Sequence, residues 1–166
     1  MTSSATMALA SMAAAVGSLL KERKETVAIA ESSTGGLISA ALLAVPGASA
    51  YFLGGGVIYT QTSRSALLGI DLDAHPGLRP STEAYAHLMA TSMRAHLGAT
   101  WALGETGATG PAGNRYGDQP GHSCIAAIGP LNRTLTIETG QSDREGNMWH
   151  FARAALDLLT ETIRSR

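Results

Sequence analysis

Apolar residues recur at helical spacing at Leu9, Met12, Val16, Leu19 and Leu20, and the charged run Lys21 to Glu25 then closes a first predicted helix. The short β-branched run TVAIA, Thr26 to Ala30, predicts a buried strand. A helix is expected from Thr34 to Val45, stopped by Pro46 and Gly47, and a strand from Gly55 to Thr60. Ser63 to Leu68 reads as a short helix with Gly69 after its end, and residues 71–80 as a loop. Ser81 is the expected cap of a long helix from Thr82 to Leu97, ended by Gly98. Then come a strand over 100–105, a glycine-rich loop from Thr106 to Gly121, an antiparallel pair at 122–129 and 133–140, and a last helix from Arg144 to Ile163. Strands alternating with helices predict one three-layer α/β domain over residues 1–166, with a mostly parallel sheet and helices on both faces.

Composition narrows the function classes. Twelve basic residues against thirteen acidic ones give a net charge of −1, which is no footprint for nucleic acid or an anionic membrane. The uncharged stretch from Ser32 to Ser63 is broken by Pro46, Gly47 and Gly54 to Gly56, too soon for a helix of ~20 apolar residues to span a membrane. The alanine-rich N-terminus lacks the positive n-region of a signal peptide and reads as a frayed end leading into the first helix. The single Cys124 has no intrachain disulfide partner, which fits a reducing cytoplasm. His75, His87, His96 and His150 are scattered without metal-ligand spacing, so neither metal nor cofactor is expected. A small-molecule partner is.

The chemistry concentrates where the first strand meets the next helix. Ser32, Ser33, Thr34, Gly35 and Gly36 follow the strand directly. Loops at the carboxyl ends of such strands carry ligands, and a helix start presents unpaired N–H groups to a phosphate or an oxyanion. Ser32 can serve there as a nucleophile; equally, Ser33 or Thr34 is an ordinary cap and Ser32 a loop hydroxyl. The segment TGATGPAG, Thr106 to Gly113, matches a dinucleotide-binding pattern in letters only. Its context argues against that use, because loop rather than helix follows it, and the only lysines, Lys21 and Lys24, have no preceding tyrosine to pair with.

Taken together, AESSTGGLISAALLAVPGASAYFLGGGVIYT, TGATGPAG, QPGH and DRE resemble, in order and over nearly the whole chain, the blocks of the CinA C-terminal domain family. The resemblance implies an α/β fold, a homo-oligomer, and hydrolysis of nicotinamide mononucleotide to nicotinic acid mononucleotide and ammonia. It also implies residue roles. Ser32 matches the family's nucleophilic serine, Tyr59 its strand-end tyrosine, and Arg144 its arginine, a candidate grip for the substrate phosphate beside a rival surface ion pair. Ser33, Thr34, Gly35, Gly36, Thr106, Gly107 and Gly110 match the substrate-binding turns.

Four positions depart from the family pattern. Arg64 stands where the family has a lysine placed to deprotonate the serine, and an arginine with a pKa above ~12 does not accept that proton. Ser33 replaces a cysteine, Glu105 an apolar residue and His122 a glycine. A histidine oriented by a carboxylate is a workable base, so His122 with Glu105, or Tyr59, is a substitute candidate; the plainer reading of His122 is a satisfied residue at a strand edge. Three functions follow: a nicotinamide-nucleotide amidohydrolase with an altered base, a nucleotide-binding relative without catalysis, or a hydrolase of another amide or ester.

Overall fold

In a computed structural model of the chain, residues 2–166 are described, with side chains from residue 8 onward. Helix α1, Thr2–Arg23, leads to strand β1, Val27–Glu31, then α2, Leu37–Leu43, and β2, Phe52–Val57. Next come α3, Gln61–Leu68, α4, Glu83–Leu97, and β3, Trp101–Ala108. The chain finishes with β4, His122–Ile128, β5, Arg133–Glu138, and α5, Arg144–Arg164. The expected frayed lead-in is instead part of α1 from Thr2 onward; the side chains of residues 1–7 lie outside the described part.

The sheet order is β2-β1-β3-β4-β5. β1 pairs in parallel with both β2 and β3, and β4 is antiparallel to β3 and to β5. All strands but β4 therefore run in one direction. Alternation along β1 sorts the two cores. Val27 and Ile29 join α1, α2 and α5 on one face, while Ala28 and Ala30 meet α3 and α4 on the other. The α4 face is built from small residues, which lets the helix backbone come very close: a Cβ on Gly104 would sit 2.1 Å from the Ala86 carbonyl oxygen. Large side chains fill the opposite layer, among them Trp101, Phe151, Leu156 and Leu159, all fully buried. The three-layer α/β architecture is the one expected.

Several boundaries moved, each for a local reason. α2 starts at Leu37 and not at Thr34 because Gly36, at φ 101°, takes a left-handed conformation that no helix continues. β2 begins at Phe52 and ends at Val57, opposite the last residue of β1, with the Ile58 N–H donating to the Glu31 carbonyl at 2.7 Å as the closing contact of that pairing. β3 runs on to Ala108, so Thr106 and Gly107 are strand residues paired with Cys124 and Ser123, not loop. The cap of α4 is Thr82, whose Oγ1 accepts from the Tyr85 N–H at 3.2 Å. Ser81, the expected cap, is buried with φ 61°, its N–H donating to Thr106 Oγ1 and its carbonyl accepting from His122. Among the described residues no helix is long and apolar enough to cross a membrane.

Candidate active site

β1 lies between β2 and β3, and the chain leaves it over one face of the sheet and returns over the other. Such a reversal opens a crevice at the carboxyl ends of the strands. Here the crevice is a cavity of about 240 Å³ lined by Ser32 after β1, Tyr59 after β2, and Thr106 and Gly107 of β3. Arg64 from α3, Ser81 and Tyr85 before and on α4, and Arg115 and Tyr116 of the loop after β3 complete its wall. A second depression, against α5 and β5, contains Met12, Glu138, Arg153 and Asp157 but none of the candidate nucleophile's neighbours.

Two buried acids build the turn that carries Ser32. The Glu31 carboxylate, fully buried, accepts from the backbone N–H groups of Gly36 (2.9 Å), Ile38 (3.1 Å) and Ser39 (2.9 Å) and from the hydroxyls of Thr34 and Ser39, both at 2.7 Å. It therefore does for α2 what a cap residue would, from the preceding strand. Glu105, also fully buried, reaches across from β3. Its Oε2 accepts from the N–H groups of Ser32 (3.1 Å) and Thr34 (3.0 Å), and its Oε1 accepts from the hydroxyls of Ser33 and, at 3.0 Å, Ser123. Burial pushes the Glu105 carboxyl above the ordinary carboxylate range, with these hydrogen bonds opposing it. Thr34 Oγ1 also lies 3.1 Å from Glu105 Oε2. Its one proton serves the shorter contact to Glu31, so a proton on Glu105 would complete the second.

The Ser32 hydroxyl is left free. With its N–H on Glu105, its Oγ faces the cavity without a hydrogen-bond partner among the described residues. Tyr59, exposed, has a hydroxyl that accepts from Arg144 Nη2 at 3.0 Å, and Arg144 Nη1 donates to the Gly110 carbonyl at 2.7 Å. Arg144 thus ties the β2 end to the loop after β3 along the cavity rim. Gly110 is required there: it sits at φ 114°, and a Cβ would lie 2.6 Å from the Ser142 carbonyl oxygen. Thr34, Gly35 and Gly36 form the turn under Ser32 and are not part of the cavity wall.

His122 is placed apart from that wall and is not oriented by Glu105. Its Nδ1 meets the Glu138 carboxylate and its Nε2 meets the Ser81 carbonyl at 2.9 Å. The Ser81 carbonyl can only accept, so Nε2 donates to it, and donation from Nδ1 to the Glu138 carboxylate as well is the bonding pattern of a protonated ring. Burial lowers its pKa, but the Glu138 bond, the Ser81 carbonyl and the charges of Glu138 and Asp118 outweigh it, and the net shift is upward from 6.5. A pKa raised in the folded state stabilises fully below about pH 6.5 and stops contributing as the pH climbs through the raised value. Urea unfolding midpoints taken from about pH 5.5 to about pH 8.5 are expected to fall over the upper part of that range, and to fall less in His122→Gln. Parallel curves would show that His122 is not the titrating group.

Sequence reading missed the residues that close the cavity from the far loop. Asn114 Oδ1 accepts from the N–H groups of Tyr116 and Asp118, and Arg79 holds Asp118 through two bonds at 2.8 and 3.2 Å. This presents Tyr116 and Arg115, stacked with the Arg115 Cζ 5.0 Å from the ring centroid. The NRYGD segment, with its Asn side chain folding back two and four residues on, was the available signal.

The comparisons with known proteins agree with this fold. A family model described as the CinA C-terminal domain matches residues 9–163. The chain belongs to the CinA C-terminal domain family. A CinA-like protein of Cyanothece is 39% identical over 156 residues, covering 92% of this chain and 37% of its own length. One from Prochlorococcus marinus is 42% identical over 120 residues, 72% of this chain and 28% of its own. The matched stretch thus spans 37% of the first of these CinA-like relatives and 28% of the second. A crystal structure of a CinA superfamily protein from Klebsiella pneumoniae superposes with a TM-score of 0.88 at 24% identity, covering 95% of this chain and 99% of that one. The competence/damage inducible protein CihA of Agrobacterium tumefaciens superposes at 0.86, with 25% identity and coverage of 93% and 95%.

Proposed function

We propose that this chain, acting as one CinA-type catalytic domain, is a nicotinamide-nucleotide amidohydrolase that uses Ser32 as its nucleophile. The observation that carries this reading is the free Ser32 hydroxyl at the strand-end cavity, on a turn fixed from beneath by Glu31 and Glu105. In the reaction Ser32 Oγ attacks the carboxamide carbon, the C–N bond breaks with a proton passing to nitrogen, and ammonia leaves. Water then cleaves the resulting ester, which returns the hydroxyl to Ser32 and releases the acid. The scheme as proposed draws on no metal or organic cofactor. We place it in the cytoplasm, in a homo-oligomer.

A second reading has one specific observation in its favour. The titratable side chains of the cavity wall are Arg64 and Arg115 with Tyr59, Tyr85 and Tyr116, and among them stands no carboxylate, imidazole or lysine. A serine hydroxyl is a weak nucleophile without a proton acceptor. A nucleotide-binding relative that does not turn its ligand over fits that wall.

Incubation with nicotinamide mononucleotide, following both ammonia release and thermal shift, separates the two. Turnover supports the amidohydrolase, and a shift without turnover supports the binding protein. Where turnover is found, Ser32→Ala is expected to lower it by at least about 10³-fold with little change in unfolding midpoint, because Ser32 Oγ makes no hydrogen bond to lose. Unchanged turnover in Ser32→Ala would remove the nucleophile assignment.

A further inference from the structure

Arg64 is only 8% exposed, yet its Nε is buried with no hydrogen-bond partner. No carboxylate among the described residues lies within ion-pair distance of its guanidinium, which faces the cavity shared with Ser32. Its one recorded neighbour of consequence is Tyr85, whose ring centroid is 5.9 Å from Cζ. Burial raises the Tyr85 hydroxyl's pKa, and the neighbouring Arg64 opposes that rise. A nearly buried, permanently charged fork with an orphaned N–H is costly unless something anionic completes it. Among the described residues the other buried charged side chains are paired: Glu31 and Glu105 between them receive ten hydrogen-bond contacts.

We propose that Arg64 makes this cavity a carboxylate site: beside Ser32 it prefers a ligand bearing a planar carboxylate to the isosteric neutral carboxamide. The fork geometry of a guanidinium matches two carboxylate oxygens, and an amide offers only one acceptor and turns N–H groups toward the cation. Arg115, exposed at the opposite rim and stacked on Tyr116, adds a second positive charge without an acid to cancel it. The inference rests on the proposed pyridine-nucleotide pocket, but it concerns what the reactive end of the ligand is. On this view the chain holds the acid product, or an acid made elsewhere, more tightly than the amide.

The test is calorimetry with nicotinic acid mononucleotide and nicotinamide mononucleotide on wild type and Arg64→Gln, alongside NMR observation of the Arg64 Nε–H resonance. The minimal probes nicotinate, nicotinamide and inorganic phosphate are added to the NMR arm. Wild type is expected to favour the acid nucleotide by at least about tenfold, the size of one charge-assisted bond. Arg64→Gln should erase that preference, and nicotinate but not nicotinamide should move the Nε–H signal. Equal affinity for the two nucleotides overturns the carboxylate site and leaves the nucleotide pocket standing. If neither nucleotide binds but nicotinate still moves the Arg64 signal, the nucleotide reading falls and the carboxylate site stands. A response to phosphate alone would overturn the carboxylate assignment, and no response to any probe would overturn both.

Discussion

Glu31→Ala is expected to destabilise the domain by on the order of 4 to 5 kcal/mol, the upper end for a single substitution. The side chain is fully buried and accepts from three backbone N–H groups and two hydroxyls. Removing it strands those donors at the start of α2, each at a cost of about 1 to 3 kcal/mol that adds incompletely. Against a total stability of about 5 to 15 kcal/mol, that loss would unfold a large fraction of molecules at moderate temperature. Glu31→Gln should fall between, because its amide nitrogen would confront the Ser39 N–H, which has nowhere to turn. Urea melts with unchanged slope give the comparison directly. A loss under about 1 kcal/mol in Glu31→Ala would show that water reaches the turn and replaces the carboxylate.

Arg64→Lys is the second large effect, and its sign is a gain. The lysine would enter a wall whose other cation is Arg115 and which contains no acid, conditions that lower an amine's pKa toward neutrality. A neutral amine accepts the Ser32 proton and a guanidinium does not. Turnover of nicotinamide mononucleotide is expected to rise by about 10² to 10⁴-fold over wild type, the contribution of a general base. Ser32→Ala placed on top of Arg64→Lys should abolish the gain. His122→Ala should leave wild-type turnover unchanged, since both ring nitrogens already donate within the protein. A wild type with strong turnover indifferent to Arg64→Lys, and to Tyr59→Phe as well, would mean that the proton leaves Ser32 by a route outside this wall.

The layers were legible because the chain alternates its periodicities cleanly. TVAIA announced β1, the Gly69 and Gly98 stops closed α3 and α4 where glycine at φ near 65° allows it, and the last helix began at Arg144 as read. What failed to show was non-local. Nothing in the one-dimensional order says that Glu31 caps the helix beginning at Leu37, through donors as far as Ser39 eight residues on, or that Glu105 reaches 73 residues back to the Ser32 N–H. Without those partners ESST reads as a local cap, and the expected α2, Thr34 to Val45, starts three residues before the observed Leu37–Leu43 and ends two after it. Ser81 misled for a related reason. Its letter suits a cap, but its backbone was already committed to Thr106 and His122 on two other strands. His122 was suspected for its chemistry and is spoken for by Glu138, a partner from β5 that spacing does not reveal.

The contact between Ser33 and Glu105 has a consequence for how such a chain can change. Both positions depart from the family pattern of a cysteine and an apolar residue, and here they are bonded to each other. An apolar residue at position 105 alone would leave the Ser32 and Thr34 N–H groups without their acceptor, and a cysteine at position 33 alone would exchange a hydroxyl donor to a buried carboxyl for a weak thiol one. The two sites therefore act as one unit divided between the turn after β1 and strand β3, and a graft of this turn into another scaffold is expected to succeed only when both halves travel together.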